Sequence, residues 1–402
     1  MHVIVLGAGV IGTTTAYYLS RLGCRVTVVE REDDAGNGAT YANGGQLSYS
    51  HTDAFANPKT VALLPRVLLG REQGLRAKLT VGLIPWGMRF LRQCTHSRAR
   101  DNTLALLRIA LRSSELMDTL REEVPIDFAF RDAGKLVMLG NENAVAAAKA
   151  SASLKKSCGC DTEVISLTEA VDLEPALADM HANWTAAVFA KGDAVADSHA
   201  FVLGLKNWLT ENADVRFRFG TQAKDILVHG RRAVGVRLDD EVLEADAVVV
   251  CLGAWSAQLL ANAGVDSPIV PARGYSMTLP PAAAPPSVSI TSLADRVLFS
   301  RINGSVRITG FADFTSFTTK DDANRTRTLL ETARRIAPYA ADYGAAKVSV
   351  WGGFRAMTPD GRPRVGATRV PGLYTNIGHG MLGWTLACAS GWDAAQAVTR
   401  QP

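Results

Sequence analysis

A glycine motif directly after an apolar N-terminal segment constrains this 402-residue chain more than any other feature. Residues 3–6 predict a buried parallel strand, and the motif Gly7-x-Gly9-x-x-Gly12 predicts a tight turn into a helix over residues 13–22. Glycine at the first two positions lets the backbone approach a pyrophosphate, and the third allows the helix to pack closely on the strand. The N–H groups at the start of the helix then hold the negative charge.

A second strand and an acidic residue complete this unit. Residues 25–29 predict the strand, and Glu30 closes it, followed by Arg31. Glu30 is placed to accept hydrogen bonds from a ribose diol, and its charge argues against a 2′-phosphate. Val10 and Ile11 lie inside the glycine turn and are predicted cofactor contacts. The order of strand, turn, helix, strand and acid is typical of a dinucleotide-binding unit, but it does not separate NAD from FAD.

Two later segments bear on which dinucleotide is bound. Residues 246–252 predict an apolar strand that runs into Gly253, and such a strand end is where a sheet opens toward a cofactor. Near the C-terminus, a strand over residues 374–377 gives way through the glycines of residues 378–383 to another helix. That helix start is a second anion-binding position. An extended cofactor with a polar group at each end would use both helix starts.

Composition and cysteine usage exclude several classes of protein. With 47% hydrophobic and 20% charged residues, the chain is neither disordered, collagenous nor coiled-coil. A net charge of +4 from scattered Lys and Arg predicts no nucleic-acid partner. The six cysteines predict free thiols in a reducing compartment, and Cys158-Gly159-Cys160 predicts a loop tip, so no metal site is expected. Without a basic leader or an apolar run of roughly 18 residues, we expect a soluble cytoplasmic or peripheral protein.

Six motifs, taken together, resemble a known family. They are the N-terminal glycine motif and residues 41–48, 174–177, 273–276, 353–361 and 378–385. In this order, and over nearly the whole chain, they resemble the FAD-dependent D-amino-acid oxidase superfamily. Within it, the sequence is most similar to the small subunits of bacterial D-amino-acid dehydrogenases.

The resemblance implies an α/β fold with two woven domains. A Rossmann-type FAD-binding domain would be interleaved with an α+β substrate domain that contains a mixed sheet. Residues 1–47, 190–264 and 345–402 would form the FAD-binding domain, and residues 48–189 and 265–344 the substrate-binding domain. No internal repeat or long linker is visible in the sequence, which agrees with domains woven together.

The resemblance also implies which residues contact FAD, grouped by the part of the cofactor they would meet. These are Gly7, Gly9, Val10, Ile11 and Gly12 at the pyrophosphate, Glu30 and Arg31 at the adenosine ribose, Ala223 at the adenine, Ala42, Asn43, Gly44, Gly45 and Gln46 beside the isoalloxazine, Gly253 at the strand end, and Gly378, His379, Gly380, Met381, Leu382, Gly383, Trp384 and Thr385 at the flavin pyrimidine edge. N–H groups at the start of the last helix would stabilise the negative charge of the reduced flavin.

One arginine and one tyrosine are the implied substrate contacts. Arg355 follows a predicted strand over residues 348–351, and its rigid fork matches a carboxylate with two hydrogen bonds. Tyr275 is the plausible second contact, through its phenol. The chain departs from the family pattern at Ala356, where relatives often have Pro. It also has Met381 where relatives of the glycine oxidase type have a second Arg.

The implied activity is FAD-dependent oxidative deamination of D-amino acids to 2-oxo acids and ammonia. A hydride would pass from the substrate Cα–H to flavin N5, and the electrons would continue to a quinone or another acceptor. We expect no catalytic His, Cys or Ser, because hydride transfer depends on alignment and a neutral amine. Three alternatives remain: a flavin oxidase or dehydrogenase of glycine, sarcosine, hydroxyproline or an opine, also as one subunit of a complex; a flavin-carrying subunit without turnover; and a nicotinamide dehydrogenase, which the C-terminal motif disfavours.

Residues 61–93 combine basic and large apolar side chains. The basic residues are Arg66, Arg71, Arg76, Lys78, Arg89 and Arg92, against the single acid Glu72. The apolar residues between them are Leu63, Leu64, Val67, Leu68, Leu69, Leu79, Leu83, Ile84, Trp86, Met88 and Phe90. This pattern is typical of an interfacial membrane contact, which would dock the protein on the cytoplasmic face of the inner membrane. It is equally typical of amphipathic helices that cover a soluble domain.

Overall fold

The structure is a computed structural model that describes residues 1–78, 80–317, 322–346 and 348–400. The strands in these residues are β1 (His2–Leu6), β2 (Arg25–Val29), β3 (Gln46–Leu47), β4 (Leu75–Ala77), β5 (Lys135–Leu139), β6 (Thr162–Ser166), β7 (Ala186–Ala190), β8 (Ala194–Val195), β9 (Val215–Arg218), β10 (Asp225–His229), β11 (Arg232–Arg237), β12 (Val242–Glu244), β13 (Ala247–Val250), β14 (Val270–Leu279), β15 (Ser289–Ser292), β16 (Val297–Ile302), β17 (Ser305–Phe314), β18 (Ser349–Met357), β19 (Arg364–Ala367) and β20 (Leu373–Ile377). The helices are α1 (Val10–Arg21), α2 (Pro58–Leu68), α3 (Leu83–Gln93), α4 (His96–Glu123), α5 (Glu142–Lys156), α6 (Leu167–Leu173), α7 (Ser198–Asn212), α8 (Ser256–Asn262), α9 (Ala323–Ile336) and α10 (Gly383–Thr399).

The N-terminal β-α-β unit lies at the centre of a six-stranded sheet. The strand order is β19-β20-β13-β1-β2-β9, and all neighbours are parallel except β19 and β20. Side chains alternate across a strand, so Val3 and Val5 enter the core shared with α1, α7 and α10. Ile4 and Leu6 enter the opposite core, which is covered by the antiparallel sheet β10-β11-β12 and by α8. Burial on both faces explains why β1 is continuously apolar.

A second, mixed sheet contains nine strands. Its order is β18-β14-β17-β16-β15-β5-β7-β6, with β4 beside β17. The pairs β15–β5 and β17–β4 are parallel and the other pairs are antiparallel. Helices α6 and α9 cover one face. A parallel sheet of Rossmann type with an interleaved mixed sheet confirms the predicted α/β fold class.

Strand β18 is the element that bears most directly on the predicted domain boundaries. It lies within residues 345–402, which we assigned to the cofactor domain, yet it pairs with β14 in the nine-stranded sheet. Strands β19 and β20, which follow it, belong to the parallel sheet. The division of the chain into two domains stays a prediction, and Arg355 lies on the strand where the chain passes from one sheet to the other.

All six cysteines are free thiols, as the sequence predicts. Burial raises the pKa of Cys251 and of Cys388 to about 12, so both stay protonated at neutral pH. Within the part of the chain that the structure describes, no helix combines the length and the apolar character that crossing a bilayer requires.

Candidate active site

The glycine motif forms a turn that has no room for side chains. Gly7 has a φ of +102°, and a Cβ built there would lie 2.8 Å from the carbonyl oxygen of Cys251. A Cβ on Gly12 would lie 1.8 Å from the Gly7 oxygen. At Gly9, by contrast, the nearest atom to a built Cβ is the Thr40 Oγ1, 3.5 Å away. The turn is therefore closed on the strand side and open at Gly9, where α1 begins without an acidic residue in its first turn.

Glu30 ties the glycine turn to the end of β2. Its Oε2 accepts a hydrogen bond from the Ala8 N–H at 2.8 Å, and its Oε1 accepts one from the Glu32 N–H at 3.1 Å. A carboxylate oxygen has two acceptor positions, so each oxygen keeps one for a ribose hydroxyl. The side chain is half-buried beside the turn, which fits the predicted contact with the adenosine ribose.

Arg31 and Ala223 are the two other residues predicted at the adenosine end of the cofactor. Arg31 follows Glu30 in the chain, and the segment of Ala223 is hydrogen-bonded to Glu30. The Thr221 N–H donates to the Glu30 carbonyl oxygen at 3.0 Å, which brings the segment with the half-buried Ala223 to the same edge. Arg31 is exposed, and its guanidinium lies 4.3 Å from the centre of the Trp255 ring. Its role in binding the cofactor stays a prediction.

The predicted isoalloxazine loop, residues 42–46, rests on the nine-stranded sheet. The Asn43 Oδ1 accepts from the Gly45 N–H at 2.8 Å, and the Asn43 carbonyl oxygen accepts from Arg307 Nη1 at 3.0 Å. Gln46 Nε2 donates to the Thr291 Oγ1 at 3.2 Å. Gly45 has a φ of +66°, so this bend of the loop favours glycine.

The same loop also contacts the helix that follows the C-terminal motif. The Ser48 N–H donates to the Thr385 Oγ1 in α10 at 2.9 Å. Ala42 is buried, and a Cβ on Gly44 would lie 3.1 Å from the Thr309 Oγ1 of β17. The predicted isoalloxazine loop therefore contacts both the mixed sheet and the start of α10.

The C-terminal motif forms a turn with two left-handed glycines. Gly378 and Gly380 have φ values of +83° and +56°, and the buried His379 between them forms a backbone bridge with Met357 at the end of β18. Burial lowers the pKa of His379 to about 3, so the ring is neutral at physiological pH. Neither His379 Nε2 nor Trp384 Nε1 has a hydrogen-bond partner among the residues that the structure describes.

The rest of this motif leads into α10. Met381 is exposed and Leu382 is half-buried in a short 3-10 turn, and α10 starts at Gly383 with no acidic residue in its first turn. Gly253, at the end of β13, has a φ of +55° and no heavy atom within 4 Å of a built Cβ. The backbone is therefore open at Gly253, whereas a Cβ on Gly378 would lie 2.6 Å from the Thr358 side chain.

These features fit FAD. The helices α1 and α10 pack side by side, since Thr14 Oγ1 donates to the Ala387 carbonyl oxygen at 3.1 Å and Gly391 lies against Thr14. Two helix starts that carry no acidic residue can therefore serve one anionic ligand. The buried nitrogens of His379 and Trp384 are polar atoms that no group within residues 1–78, 80–317, 322–346 and 348–400 satisfies.

Arg355 lies over a glycine of the neighbouring strand. A Cβ on Gly274 would lie 2.5 Å from the Arg355 Cζ, so the guanidinium occupies space that exists because residue 274 has no side chain. Its Nη1 donates to the Phe311 carbonyl oxygen at 2.6 Å. Burial lowers the pKa of Arg355 to about 10, an effect that the nearby Asp313 carboxylate opposes. Arg355 is therefore a cation at neutral pH. Two residues later in β18, Met357 forms the backbone bridge to His379 in the C-terminal turn.

The structure does not bring the Tyr275 hydroxyl beside this guanidinium. Side chains alternate along β14, so Tyr275 points to the sheet face opposite Gly274 and packs in the core under α9. Its hydroxyl donates to the Asp313 Oδ2 at 2.9 Å. Burial and the Asp313 charge raise the pKa of Tyr275 well above its usual value. A direct contact of Tyr275 with substrate stays a prediction, and it would require this hydrogen bond to be exchanged.

Three residues of the site were not singled out from the sequence. Thr40 accepts from the Val10 N–H at 3.1 Å, Gly274 makes room for Arg355, and Asp313 binds Tyr275. A glycine inside a strand pattern signals a close approach, so Gly274 carried a usable signal. Thr40 and Asp313 carried none, because their partners are distant in the chain.

Comparison with known proteins defines the class. Residues 2–397 match the family of FAD dependent oxidoreductases known as DAO, and the chain belongs to this family. The protein is therefore an FAD-dependent oxidoreductase, and FAD, not a nicotinamide nucleotide, is its cofactor. This confirms the resemblance inferred from the motifs.

Its relatives extend over the full chain. The chain is 38% identical over 412 residues to D-amino acid dehydrogenase 2 of Ralstonia nicotianae, covering 100% of this chain and 97% of the relative. It is 36% identical over 415 residues to a D-amino acid dehydrogenase of Dechloromonas aromatica, with 100% and 98% covered. Among solved structures, glycine oxidase from Geobacillus kaustophilus is similar with a TM-score of 0.78 at 21% identity, covering 100% of this chain and 95% of that one. At that identity, the likeness shows the shared fold.

Proposed function

We propose that the protein catalyses the oxidative deamination of D-amino acids to 2-oxo acids and ammonia. When bound, FAD supplies the two-electron acceptor that takes a hydride from the substrate Cα–H at flavin N5. The observation that carries the proposal is the Arg355 guanidinium, charged and fitted over Gly274 next to the turn at His379. The relatives named D-amino acid dehydrogenase support the D configuration of the substrate.

Arg355 orients the substrate. Its Nη1 is engaged with the Phe311 carbonyl oxygen, and its other N–H groups, which have no partner in the part of the chain that the structure describes, remain for a carboxylate. Two parallel hydrogen bonds fix the carboxylate and hence the direction of the Cα–H bond, which is the alignment that hydride transfer requires. His379 stays neutral at this edge, so it adds no charge that would compete with Arg355 for the carboxylate. The resulting imino acid is hydrolysed by water.

An Arg355→Lys variant tests the assignment of the anchor. We expect normal FAD content and a loss of roughly 2 to 4 kcal/mol in transition-state stabilisation, because a point charge replaces the two-bond fork. The readout is kcat/KM per bound flavin. The matched control is Arg216→Lys on β9, an exposed arginine for which we expect no change. Unchanged turnover of Arg355→Lys at full flavin occupancy would remove Arg355 from the site.

A substrate screen tests the reaction itself. The purified holoprotein is mixed anaerobically with single D- and L-amino acids, glycine, sarcosine, hydroxyproline and an opine, and bleaching of the flavin absorption is followed. We expect D-amino acids to reduce the flavin fastest. Reduction by sarcosine or an opine alone would replace the proposed substrate class, and reduction by none of them would indicate a flavin-carrying subunit without turnover.

We further propose that the electrons pass to a membrane quinone and that the segment of residues 61–93 docks the protein on an anionic membrane surface. Among the described residues of this segment, six large apolar side chains are 48% to 89% exposed. They are Leu68, Leu69, Val81, Ile84, Met88 and Leu91. Arg66 and Arg89 are also exposed here, paired with Glu72 and Asp266. Exposed apolar groups beside arginines suit the boundary between headgroups and acyl chains.

Part of the sequence pattern has a different explanation. Trp86 and Phe90 are buried in a cluster with Met357, and Trp86 Nε1 donates to the Met357 carbonyl oxygen at 3.0 Å. Counting these two rings as lipid contacts was therefore wrong, because α3 turns them toward the end of β18. Leu79 lies outside the described residues. The proposed contact surface consists of the exposed side chains alone.

Co-sedimentation with vesicles tests the docking surface. We compare the wild type with a triple variant, Arg66→Glu, Arg71→Glu and Arg89→Glu, on vesicles of anionic and of neutral phospholipid at low salt. The wild type should pellet with anionic vesicles and the variant should not, with flavin reduction by substrate unchanged in both. If both proteins pellet equally, or neither does, the segment is only a covering of the core.

A further inference from the structure

A buried ion pair connects α9 to β17, the strand whose Phe311 carbonyl oxygen binds Arg355. Arg325 on α9 and Asp313 on β17 have side-chain exposures of 1% and 4%. Arg325 Nε donates to Asp313 Oδ2 at 2.9 Å and its Nη2 donates to Asp313 Oδ1 at 2.6 Å, so the pair is bidentate. The third nitrogen, Nη1, donates to the Gln73 carbonyl oxygen at 2.6 Å. All three guanidinium nitrogens of Arg325 are therefore engaged.

The chain two residues before Asp313 has an irregular backbone. Phe311 has a φ of +61°, a conformation that bulky residues rarely adopt. The pairing of β14 with β17 shifts at this point, because Arg273 lies opposite Asp313 whereas Tyr275 lies opposite Gly310. Strand β17 thus carries an extra residue here, as in a β-bulge. The carbonyl oxygen of Phe311 is the atom that accepts from Arg355.

Arg325 contacts this bulge in two ways. It binds the Asp313 carboxylate, and its guanidinium carbon lies 4.3 Å from the centre of the Phe311 ring. One contact is therefore made to Phe311 within the bulge and the other to Asp313, where regular pairing with β14 resumes. The Tyr275 hydroxyl adds a third contact to Asp313 from β14. Bulges occur next to active sites, where they direct a group toward a ligand, and the group directed here is the Phe311 carbonyl.

We propose that Arg325, paired with Asp313, is a positioning residue that holds the Phe311 bulge so that its carbonyl oxygen aligns Arg355 with the substrate carboxylate. This rests on the proposed function, which assigns the carboxylate to Arg355. An ion pair buried on both sides gains little net stability over two apolar side chains of similar volume. A role in fixing geometry therefore accounts for Arg325 and Asp313 better than a role in stability alone.

The test replaces both charged side chains of the ion pair by apolar ones, so that an effect on the position of Arg355 can be distinguished from a loss of folding stability. Removing Arg325 alone would leave a buried carboxylate and threaten folding, so the main variant is the double substitution Arg325→Met with Asp313→Leu. Arg325→Lys is the milder variant, which keeps the charge but loses the fork. Arg327→Met, an exposed residue of the same helix, is the matched control.

The readout is binding of propanoate, a carboxylate without an amine, followed by the perturbation of the flavin absorption. We expect the double variant to bind FAD normally and to raise the propanoate Kd about tenfold, with a similar rise in KM for a D-amino acid. Arg325→Lys should give a smaller rise and Arg327→Met none. If the double variant retains FAD, an unchanged propanoate Kd in that variant overturns the proposal. If it does not retain FAD, the propanoate Kd of Arg325→Lys is the test instead, and an unchanged value there overturns the proposal.

The same assay in an Arg355→Met background keeps the two proposals apart. If Arg325 acts through Arg355, the double substitution should cause no further change in the propanoate Kd once Arg355 is absent. If Arg355→Met alone leaves the Kd unchanged, the proposed role of Arg355 is wrong. A large effect of Arg355→Met combined with no effect of the double variant would overturn the role of Arg325 alone.

Discussion

Gly274→Ala displaces Arg355 without altering it, which makes it a sharp perturbation of the site. The added Cβ would lie 2.5 Å from Arg355 Cζ and Nη2 and 2.7 Å from Nη1. Carbon contacts are favourable at about 3.5 Å, so the guanidinium must move by roughly 1 Å. A displacement of that size can cost about 10²-fold in rate, equivalent to about 2.7 kcal/mol of transition-state stabilisation. We expect kcat/KM to fall by about that factor.

The assay is kcat/KM per bound flavin, together with the unfolding free energy in urea. Overpacking of this kind typically costs about 1–3 kcal/mol of stability, which leaves a folded protein to measure. Gly87→Ala in α3 is the control, because a Cβ there has no heavy atom within 4 Å and should stabilise the helix by up to about 1 kcal/mol. Full activity of Gly274→Ala with normal flavin content would refute the inference that this glycine makes room for the substrate anchor.

Two further predictions concern the cofactor side. Gly12→Ala should abolish flavin binding, measured as flavin content of the purified protein, because its Cβ would lie 1.8 Å from the Gly7 oxygen. His379→Gln should flatten the pH dependence of the unfolding free energy: the folded pKa of about 3 lies below the usual value near 6.5, so the unfolded state binds the extra proton and stability falls as pH drops through this window. The expected difference from wild type is up to about 1.4 kcal/mol per pH unit between pH 6 and pH 4, by urea unfolding, and His51, whose pKa is also lowered to about 3, contributes a separate part that the variant leaves in place.

The parts of the fold that could be predicted from sequence depend on local patterns. The N-terminal unit was predicted because strand, glycine turn and helix are contiguous, and their steric needs appear directly at Gly7 and Gly12. The long helix α4 and the buried strand β5 also carry apolar patterns of their own. In α4 the apolar residues recur at helical spacing, and in β5 they form one continuous run, so each pattern lies within one segment.

The arrangement around Arg355 could not be predicted in the same way. The motif that contains Arg355 was found, but only the register of β18 against β14 shows that the group lying over Gly274 is the Arg355 guanidinium. Asp313 and Arg325 meet because β17 bulges and α9 packs over it, and neither event leaves a local pattern. Tyr275 was selected from its motif, whereas the alternation of β14 turns it to the opposite face.

The absence of a side chain at Gly274 and the irregular backbone at Phe311 together allow Arg355 to be held rigidly while it stays charged. The carboxylate anchor that we propose at Arg355 must keep its charge, although burial lowers the pKa of this side chain, and it must also be rigid. Gly274 gives the guanidinium a flat strand backbone to lie on, and the Phe311 carbonyl takes one of its N–H groups without adding a full negative charge that would compete with the substrate. The nearby Asp313 carboxylate supplies the compensating charge, and Arg325 binds that carboxylate through both oxygens. The Asp313 charge thereby offsets part of the effect of burial on the pKa of Arg355. Apart from the bond to Phe311, its N–H groups have no partner among the described residues and can donate to the proposed substrate carboxylate.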